Sequence, residues 1–513
     1  MVQLKALSKN KGMIAALVLL AAYILYWWLY NPRILSALFL VMAVPMMIFM
    51  VLISFDKIRI GGGRLFLLLL VVFGLFFCFV FPPMKVPDEI YHYLSTQWIV
   101  NVITGNGTFS SPDVLLRGDD WLLYSKFDSS LLTSGDYATV TNNFTWFCSD
   151  DSLHLVDGYS FTFGSVNPSA KIFTVLGLLV AKCLHLGAYP TFYLGRLFSL
   201  GFFVMSACGA YKIAPKGKSV IVFVSLLPMT LHLAASYSYD SGIISYSLLI
   251  FAFLMKGFFG EEVSIGVKEV AVYCAIAALL APCKVVYSCV CILGLTIPYS
   301  KFSNRRFAWL SKGILCLAIV VTIIVIRLSS ITELAAGSDL SIRGGETGHF
   351  YTLASIICSP LHSFQILIRT LDSLGDFYWE SMLGYSLGWF QGELCMPAFF
   401  MLPYLGMGML CCFESEYEDA FLTWRSAICF AAAFVLVALG VILSMWIGWT
   451  FDTEATIQGV QGRYFLPALP VLLFALRSHR LSFKGDVTRV VLCGTGIMNL
   501  VYLVRLFCIA ASL

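Results

Sequence analysis

The sequence predicts an all-α polytopic membrane protein, and three observations carry that prediction. The chain is 59% hydrophobic and only 12% charged, with a mean hydropathy of +0.86 over 513 residues, whereas a globular chain keeps about a quarter of its residues charged. Apolar runs long enough to cross a bilayer, about 17–25 residues, recur along its length. Lysines and arginines fall in the short gaps between alternate runs, the pattern of cytoplasmic loops. The net charge of +4 is spread over those gaps and leaves no basic tract for nucleic acid.

Residues 13–30 follow Lys5, Lys9 and Lys11 and lack a small-residue cleavage site, so they read as a retained signal anchor. After the Asn31-Pro32-Arg33 turn, residues 34–55 form a second span. Lys57, Arg59 and Arg64 mark a cytoplasmic loop and divide residues 1–64 from a main domain, 65–513. Residues 65–81 then run outward into a loop that carries ten acidic residues against three basic ones as far as Pro168.

Residues 172–188 carry Lys182 and His185 and precede the 192–211 run almost without a gap. If both crossed, Lys212, Lys216 and Lys218 would lie outside. Residues 172–188 are therefore expected to stay on or in the outer leaflet, which extends the first external segment over about 82–191. Runs at 220–236, 243–259, 270–281, 285–298 and 313–328 alternate and lead to a second external segment, about 329–393. Runs at 396–413, 428–446, 464–476 and 490–509 complete about thirteen spans. This order places the protein in the cell (inner) membrane, with the N-terminus cytoplasmic and its unusual polar clusters extracytoplasmic.

The most suggestive of those clusters is residues 81–98. Pro82, Pro83 and Pro87 stop the preceding helix, so Asp88 and Glu89 stand where it leaves the membrane. Ile90, Tyr93, Leu94 and Trp98 recur at helical spacing and predict an amphipathic helix on the membrane surface, with His92 on the face of Asp88. A carboxylate here suits a general base; the same residues would also serve as a helix cap with interfacial anchors.

Near the C-terminus, Gln461-Gly462-Arg463-Tyr464-Phe465-Leu466-Pro467 offers a guanidinium fork for a phosphate, with Gln461 and Tyr464 beside it for hydroxyls. Snorkelling anchors are the competing use. Asp240 and Lys284 are isolated charges between apolar runs, placed for a headgroup or for a hydrated turn. The aromatic tract at 377–391 suits sugar stacking or an interfacial belt. His232, His349 and His362 lack metal-ligand spacing. With no P-loop, no G-x-G-x-x-G after a strand and no H-E-x-x-H, nucleotide-driven pumping is excluded as a reading.

Taken together, the Pro87-Asp88-Glu89…His92 loop, Asn167-Pro168, Tyr193-Leu194-Gly195-Arg196 heading a span, the Asp240 turn and the Gln461–Pro467 motif resemble a bacterial family of predicted membrane proteins of unknown function. That family is similar in turn to the C-type (GT-C) membrane glycosyltransferases. The resemblance covers about residue 65 to the C-terminus and implies a GT-C-like fold. Its donor would be a polyprenyl phosphate or diphosphate sugar in the membrane lipid, and its acceptor a glycan or lipid of the cell envelope.

The resemblance also implies catalysis by Asp88 with Glu89 beside it, and Arg196 as the arginine that begins the inward span. His92, Asp240, Lys284, Gln461, Arg463 and Tyr464 are the expected donor-binding residues. Metal dependence varies among such enzymes, so Mg or Mn at Asp88 and Glu89 is an open expectation; no cofactor is otherwise implied. The chain departs from many C-type enzymes in ending at a span rather than in a large soluble domain. A flippase of lipid-linked glycans or a non-catalytic assembly subunit are the alternatives. A flippase would want mid-membrane charges and internal repeats, neither of which is evident.

Overall fold

A computed structural model of the chain describes residues 11–510 apart from 20, 24, 26–33, 56, 128–131, 262, 337–340, 344–345, 389–394 and 416–419. The end of the expected first span, the turn at residues 31–33 and the last part of the aromatic tract lie outside the described residues.

Among the described residues, six helices are long and apolar enough to cross a membrane. They are α1 (Gly62–Val80), α2 (Ala188–Ile213), α3 (Asp240–Phe259), α4 (Arg305–Ala336), α5 (Trp424–Trp449) and α6 (Val487–Ala510). Strand is confined, among the described residues, to two-stranded ribbons such as Leu115–Arg117 with Leu153–Leu155. The all-α membrane expectation therefore holds.

Among the described residues the long spans are fewer than the thirteen expected; the expected spans at 13–30 and 34–55 fall partly outside the described residues, and other apolar runs are short or broken, two of them at prolines. The 220–236 run is two short helices, Lys218–Ser225 and Pro228–Ala234. The 464–476 run is a 3₁₀ stretch, Gly462–Ala468, containing Pro467, followed by Leu469–Ala475, which begins at a further proline. The 285–298 run is three short helical pieces that end before Pro298. Each proline removes an N–H from the helical ladder. Broken backbone is tolerated at membrane depth only when protein encloses it, and residues 219–235 are buried throughout.

The spans are unequally enclosed. Protein buries 78% of the apolar window of α3, but only 17% of that in α4 and 22% of that in α5. α3 is thus the centre of the bundle, and α4 and α5 are its open flank.

The Pro168–Cys183 helix is the one expected to remain at the outer leaflet. It doubles back on α2 in a hairpin, with Gly177 against Gly195 so closely that a Cβ on Gly177 would lie 2.9 Å from the Gly195 Cα. Small residues permit such approaches. Its start is tied to neighbouring spans, through Ser169 Oγ donating to Leu279 O and Tyr246 donating to Ser169 O. The turn after it returns to the first loop, where the Cys148 N–H donates to His185 O at 2.8 Å.

The Glu89–Ile103 helix departs from the amphipathic surface helix expected. Ile90, Tyr93, Leu94 and Trp98 are buried, but so are His92, Ser95, Thr96 and Gln97 on its other faces. Tyr91 packs on Phe161 of the first loop, and Lys171 of the hairpin donates to His92 O. The helix lies inside a small second core rather than on a membrane.

One buried ion pair fixes how α1 hands over to this helix. Pro82 cannot donate the N–H that would normally reach Cys78 O, four residues earlier. Arg196 of α2 supplies the missing donors. Nη1 donates to Cys78 O at 2.9 Å and to Phe81 O at 2.6 Å, and Nη2 donates to Pro82 O at 3.1 Å. Its Nε and Nη2 also grip Glu89 in a two-pronged pair at 2.8 and 2.5 Å, with both side chains wholly buried. The Tyr237 N–H adds a 3.3 Å contact to the same carboxylate.

Removing one partner of such a pair leaves an uncompensated buried charge, which costs about 3–5 kcal/mol. Glu89→Gln is therefore expected to lower the unfolding midpoint of the detergent-solubilised protein sharply. Glu89→Leu combined with Arg196→Leu should recover little of the loss, because Cys78 O, Phe81 O and Pro82 O then lose their donors. Wild-type stability in Glu89→Gln would refute the structural role.

Candidate functional site

Asp88 and Glu89 are neighbours in sequence with opposite fates. Glu89 points into the bundle toward Arg196. Asp88 has a left-handed backbone, φ 59°, a conformation that Asp and Asn tolerate better than most residues. Its side chain makes no capping bond to the helix it precedes. It is 46% exposed and instead accepts from Arg463 Nη2 at 2.6 Å.

Arg463 comes from the far end of the sequence and is brought here by its glycine neighbour. A Cβ on Gly462 would lie 1.9 Å from Tyr378 O and 2.5 Å from Met382 N, and the Gly462 N–H donates to Ser381 Oγ at 3.0 Å. Only glycine lets this strand of backbone lie directly on the Pro360–Leu383 helix. Arg463 itself is 3% exposed, and its Nε and Nη1 make no hydrogen bond. The nearest further anion is Asp240, at the start of α3, with Oδ2 3.5 Å from Arg463 Nε. The other Asp240 oxygen faces Lys284 Nζ at 3.8 Å. The charges thus alternate as Asp88, Arg463, Asp240, Lys284.

Lys284 is 24% exposed, and its ammonium sits over the Tyr464 ring at 3.6 Å and the Tyr239 ring at 5.1 Å. These faces stabilise a cation by their quadrupoles. The group opens into a cavity of about 700 Å³ at this end of the bundle. Asp88, His92, Asn167, Lys284, Arg327 and Gln461 form its polar side. Val285, Val286 and the α5 residues Val441, Met445 and Trp449 form its apolar side. Lys284 stands where the two meet.

Of the nine residues expected from the sequence, Asp88, His92, Lys284, Gln461 and Tyr464 line this cavity. Asp240 and Arg463 are buried behind it, joined to it through their ion pairs. Glu89 and Arg196 form the closed pair beneath, and both are fully buried.

Asp88 and Glu89 therefore do not form a shared metal pair. Glu89 has both oxygens on Arg196, and the next carboxylate, Asp240, is separated from Asp88 by a guanidinium. A divalent ion does not fit this donor set. Among the described residues, no group of three or more His, Cys, Asp or Glu is placed to hold a metal.

Arg327, near the C-terminal end of the apolar part of α4, was not singled out by sequence. It donates to Gly164 O, Pro282 O, Cys283 O and the Asn167 side chain, clamping the end of the first loop to the segment that carries Lys284. Its signal was the one that marked Arg463, a lone cation at the end of an apolar run. Lys171, likewise missed, is buried and donates to His92 O at 3.0 Å and to Ser95 Oγ.

His92 is buried, meets Tyr239 edge-on at 4.6 Å and leaves Nδ1 without a partner. Burial holds its pKa well below the ordinary imidazole value, and the cations Lys171, Arg463 and Lys284 push it in the same direction. It is therefore a neutral ring beside Asp88.

The fold and site define an α-helical membrane protein with a charged cavity at one end of its bundle. Residues 68–472 match the family described as predicted membrane protein DUF2142, and the chain belongs to that family. No curated protein and no solved structure matches the chain.

The neutrality of His92 gives a pH dependence of known sign. Below about pH 6.5 the unfolded chain protonates this imidazole and the folded chain resists it, so its contribution is complete above that value and is lost on acidification. The slope from one such group is at most about 1.4 kcal/mol per pH unit. Unfolding midpoints measured from pH 7.5 to 5 should fall more steeply in wild type than in His92→Gln. Identical slopes would exclude His92 as the source.

Proposed function

We propose that the chain is a membrane glycosyltransferase of the C type. It would move a sugar from a polyprenyl phosphate or diphosphate donor to a hydroxyl of a cell-envelope glycan or lipid, on the extracytoplasmic side of the cell membrane. In this reading residues 65–513 are the catalytic unit, and the broken helices count with the long ones toward about thirteen passes.

The observation that carries the proposal is the cavity with Lys284 at its boundary. An exposed carboxylate and a cation lie on one side, and an apolar side runs to α5, whose surface mostly faces outward. An amphiphile with an anionic head and an apolar tail matches both sides at once. Its head would meet Lys284, and its tail would leave past Val286, Met445 and Trp449. Such a lipid cannot leave the bilayer, so its chemistry belongs at a bundle end.

Asp88 is the group placed to act as base. It would accept the proton of the acceptor hydroxyl as that oxygen attacks the anomeric carbon. The bond from that carbon to the phosphate oxygen breaks, and the departing phosphate keeps the electron pair, stabilised by the Lys284 ammonium. Arg463 acts from behind, holding Asp88 toward the cavity through one hydrogen bond. Gln461 and Tyr464, on the same side, are placed for sugar hydroxyls. A flippase makes no bond and so has no glycosyl-transfer step that loss of Asp88 could slow, which is the difference the test below reads.

The test is incubation of the purified protein in lipid with a panel of radiolabelled polyprenyl-phosphate sugars. Asp88→Asn keeps the contact to Arg463 but cannot take the proton. It should lower transfer by about 10²–10⁴-fold while leaving folding and donor binding in place. Full transfer by Asp88→Asn would remove the assignment of the base, and no transfer by wild type with any donor would remove the enzyme reading.

A further inference from the structure

The Pro360–Leu383 helix has three faces of different character. Ile366, Thr370, Tyr378 and Ser381 are buried against the protein. His362, Gln365, Arg369, Asp372 and Asp376 make a second face, polar and exposed. Leu361, Phe364, Ile368 and Leu371 make the third. They recur every three or four residues, the spacing of one helix side, yet they are 81, 61, 48 and 45% exposed. At 3.6 residues per turn the polar and apolar sets fall to opposite sides of the packed one. A contiguous apolar patch left open in this way marks contact with a partner or a membrane.

The helix is tied along its length to the cavity end of the bundle. At its start, His362 Nε2 lies 3.5 Å from the Tyr351 hydroxyl. Tyr351 meets the α5 ring of Trp446 edge-on at 5.9 Å and donates its N–H to Thr450 O at 3.1 Å. Midway, Thr370 Oγ1 accepts the Ile457 N–H at 2.8 Å, and near the end Ser381 Oγ accepts the Gly462 N–H. Its 24 residues span roughly 36 Å at 1.5 Å per residue. A helix of that length, held at its start, middle and end by one end of the bundle, crosses that end and does not follow the bundle axis. Its start is level with the last turns of α5, whose apolar window is only 22% buried by protein. The open apolar face thus begins beside a surface that already faces lipid.

We infer that the Pro360–Leu383 helix lies in the plane of the membrane at the cavity end, with Leu361, Phe364, Ile368 and Leu371 sunk among the acyl chains of that leaflet. A three-sided helix is what this position asks for: one side rests on the bundle, one enters the apolar layer, and one meets headgroups and water. The lipid around α5 reaches the open face without any further partner. Through Thr370 and Ser381 the same helix holds both ends of the 457–462 segment that delivers Arg463, so the leaflet seats a support of the site. The assignment does not rest on the transferase reading.

The test places a photoreactive side chain at single positions of the full chain, irradiates it in the membranes where the protein was made, and identifies the adducts by mass spectrometry. Phe364→p-benzoylphenylalanine and Leu361→p-benzoylphenylalanine should both give phospholipid adducts. Val435→p-benzoylphenylalanine, at a half-exposed position of α5, is the control that reports lipid. The adduct should be lost in Arg369→p-benzoylphenylalanine, on the polar face. All four positions are at the surface, so the substitutions leave the packed faces intact. Cross-linking of positions 361 and 364 mainly to a second copy of the chain, or to another protein, would overturn the proposal. So would the lack of any adduct at both positions while Val435 is labelled, or lipid labelling at Arg369 as strong as at Phe364.

Discussion

A guanidinium without water around it holds the site end of this protein together. Arg196 answers a deficit written into the sequence, since the prolines that end α1 leave its last carbonyls without donors. Those carbonyls and Glu89 together saturate the arginine. Because the ligands come from both sides of the proline turn, the turn has one geometry. Asp88, the residue before Glu89, is then delivered to the cavity with its position already set. Lys85 paired with Asp136 and Tyr137 bonded to Val80 O brace the same turn from the first loop. Side chains held this way lose little entropy when a ligand arrives.

The visible chemistry of the cavity rests on groups that do not line it. Asp240 faces Arg463 with one oxygen and Lys284 with the other, so it couples α3, the Gln461–Pro467 motif and the Lys284 segment. In a low-dielectric setting a row of alternating charges is far less costly than the same charges apart. Asp240 offsets part of the cost of both cations, and Asp88 on Arg463 and the aromatic faces under Lys284 offset the rest. Arg463 is a support for Asp88 more than a surface for ligands, and the motif that carries it does most of its work through the glycine that lets it approach.

Much of the site was legible in the sequence because charge at the end of an apolar run is expensive and therefore visible. Asp88 and Lys284 were found that way, and His92, Gln461 and Tyr464 as neighbours of such charges; all five reach one cavity. What could not be read was direction. Adjacent residues diverge when one of them is left-handed, so Asp88 and Glu89 looked like a pair and are not one. Arg463 looked like a surface cation for the same reason, since depth behind a cavity leaves no mark on spacing. The apolar runs themselves were plain, but the breaks at Leu226-Leu227 and around Pro467 depend on neighbours that enclose bare backbone. The burial of Glu89–Ile103 depends on loop residues some seventy positions away, such as Phe161, and no local period encodes that.

The unequal enclosure of the spans makes the bilayer a structural partner on one flank only. α3, surrounded by protein, carries Asp240 and the floor of the site. α5, most of whose surface faces outward, carries the apolar side at Val441, Met445 and Trp449. One side of the same cavity is thus braced by side-chain packing and the other by lipid. Its charged floor should keep its geometry in membranes of any composition, while the gap beside α5 answers to acyl-chain order and lateral pressure. If the proposed donor occupies the cavity, the width open to its tail is a property of the membrane as much as of the protein.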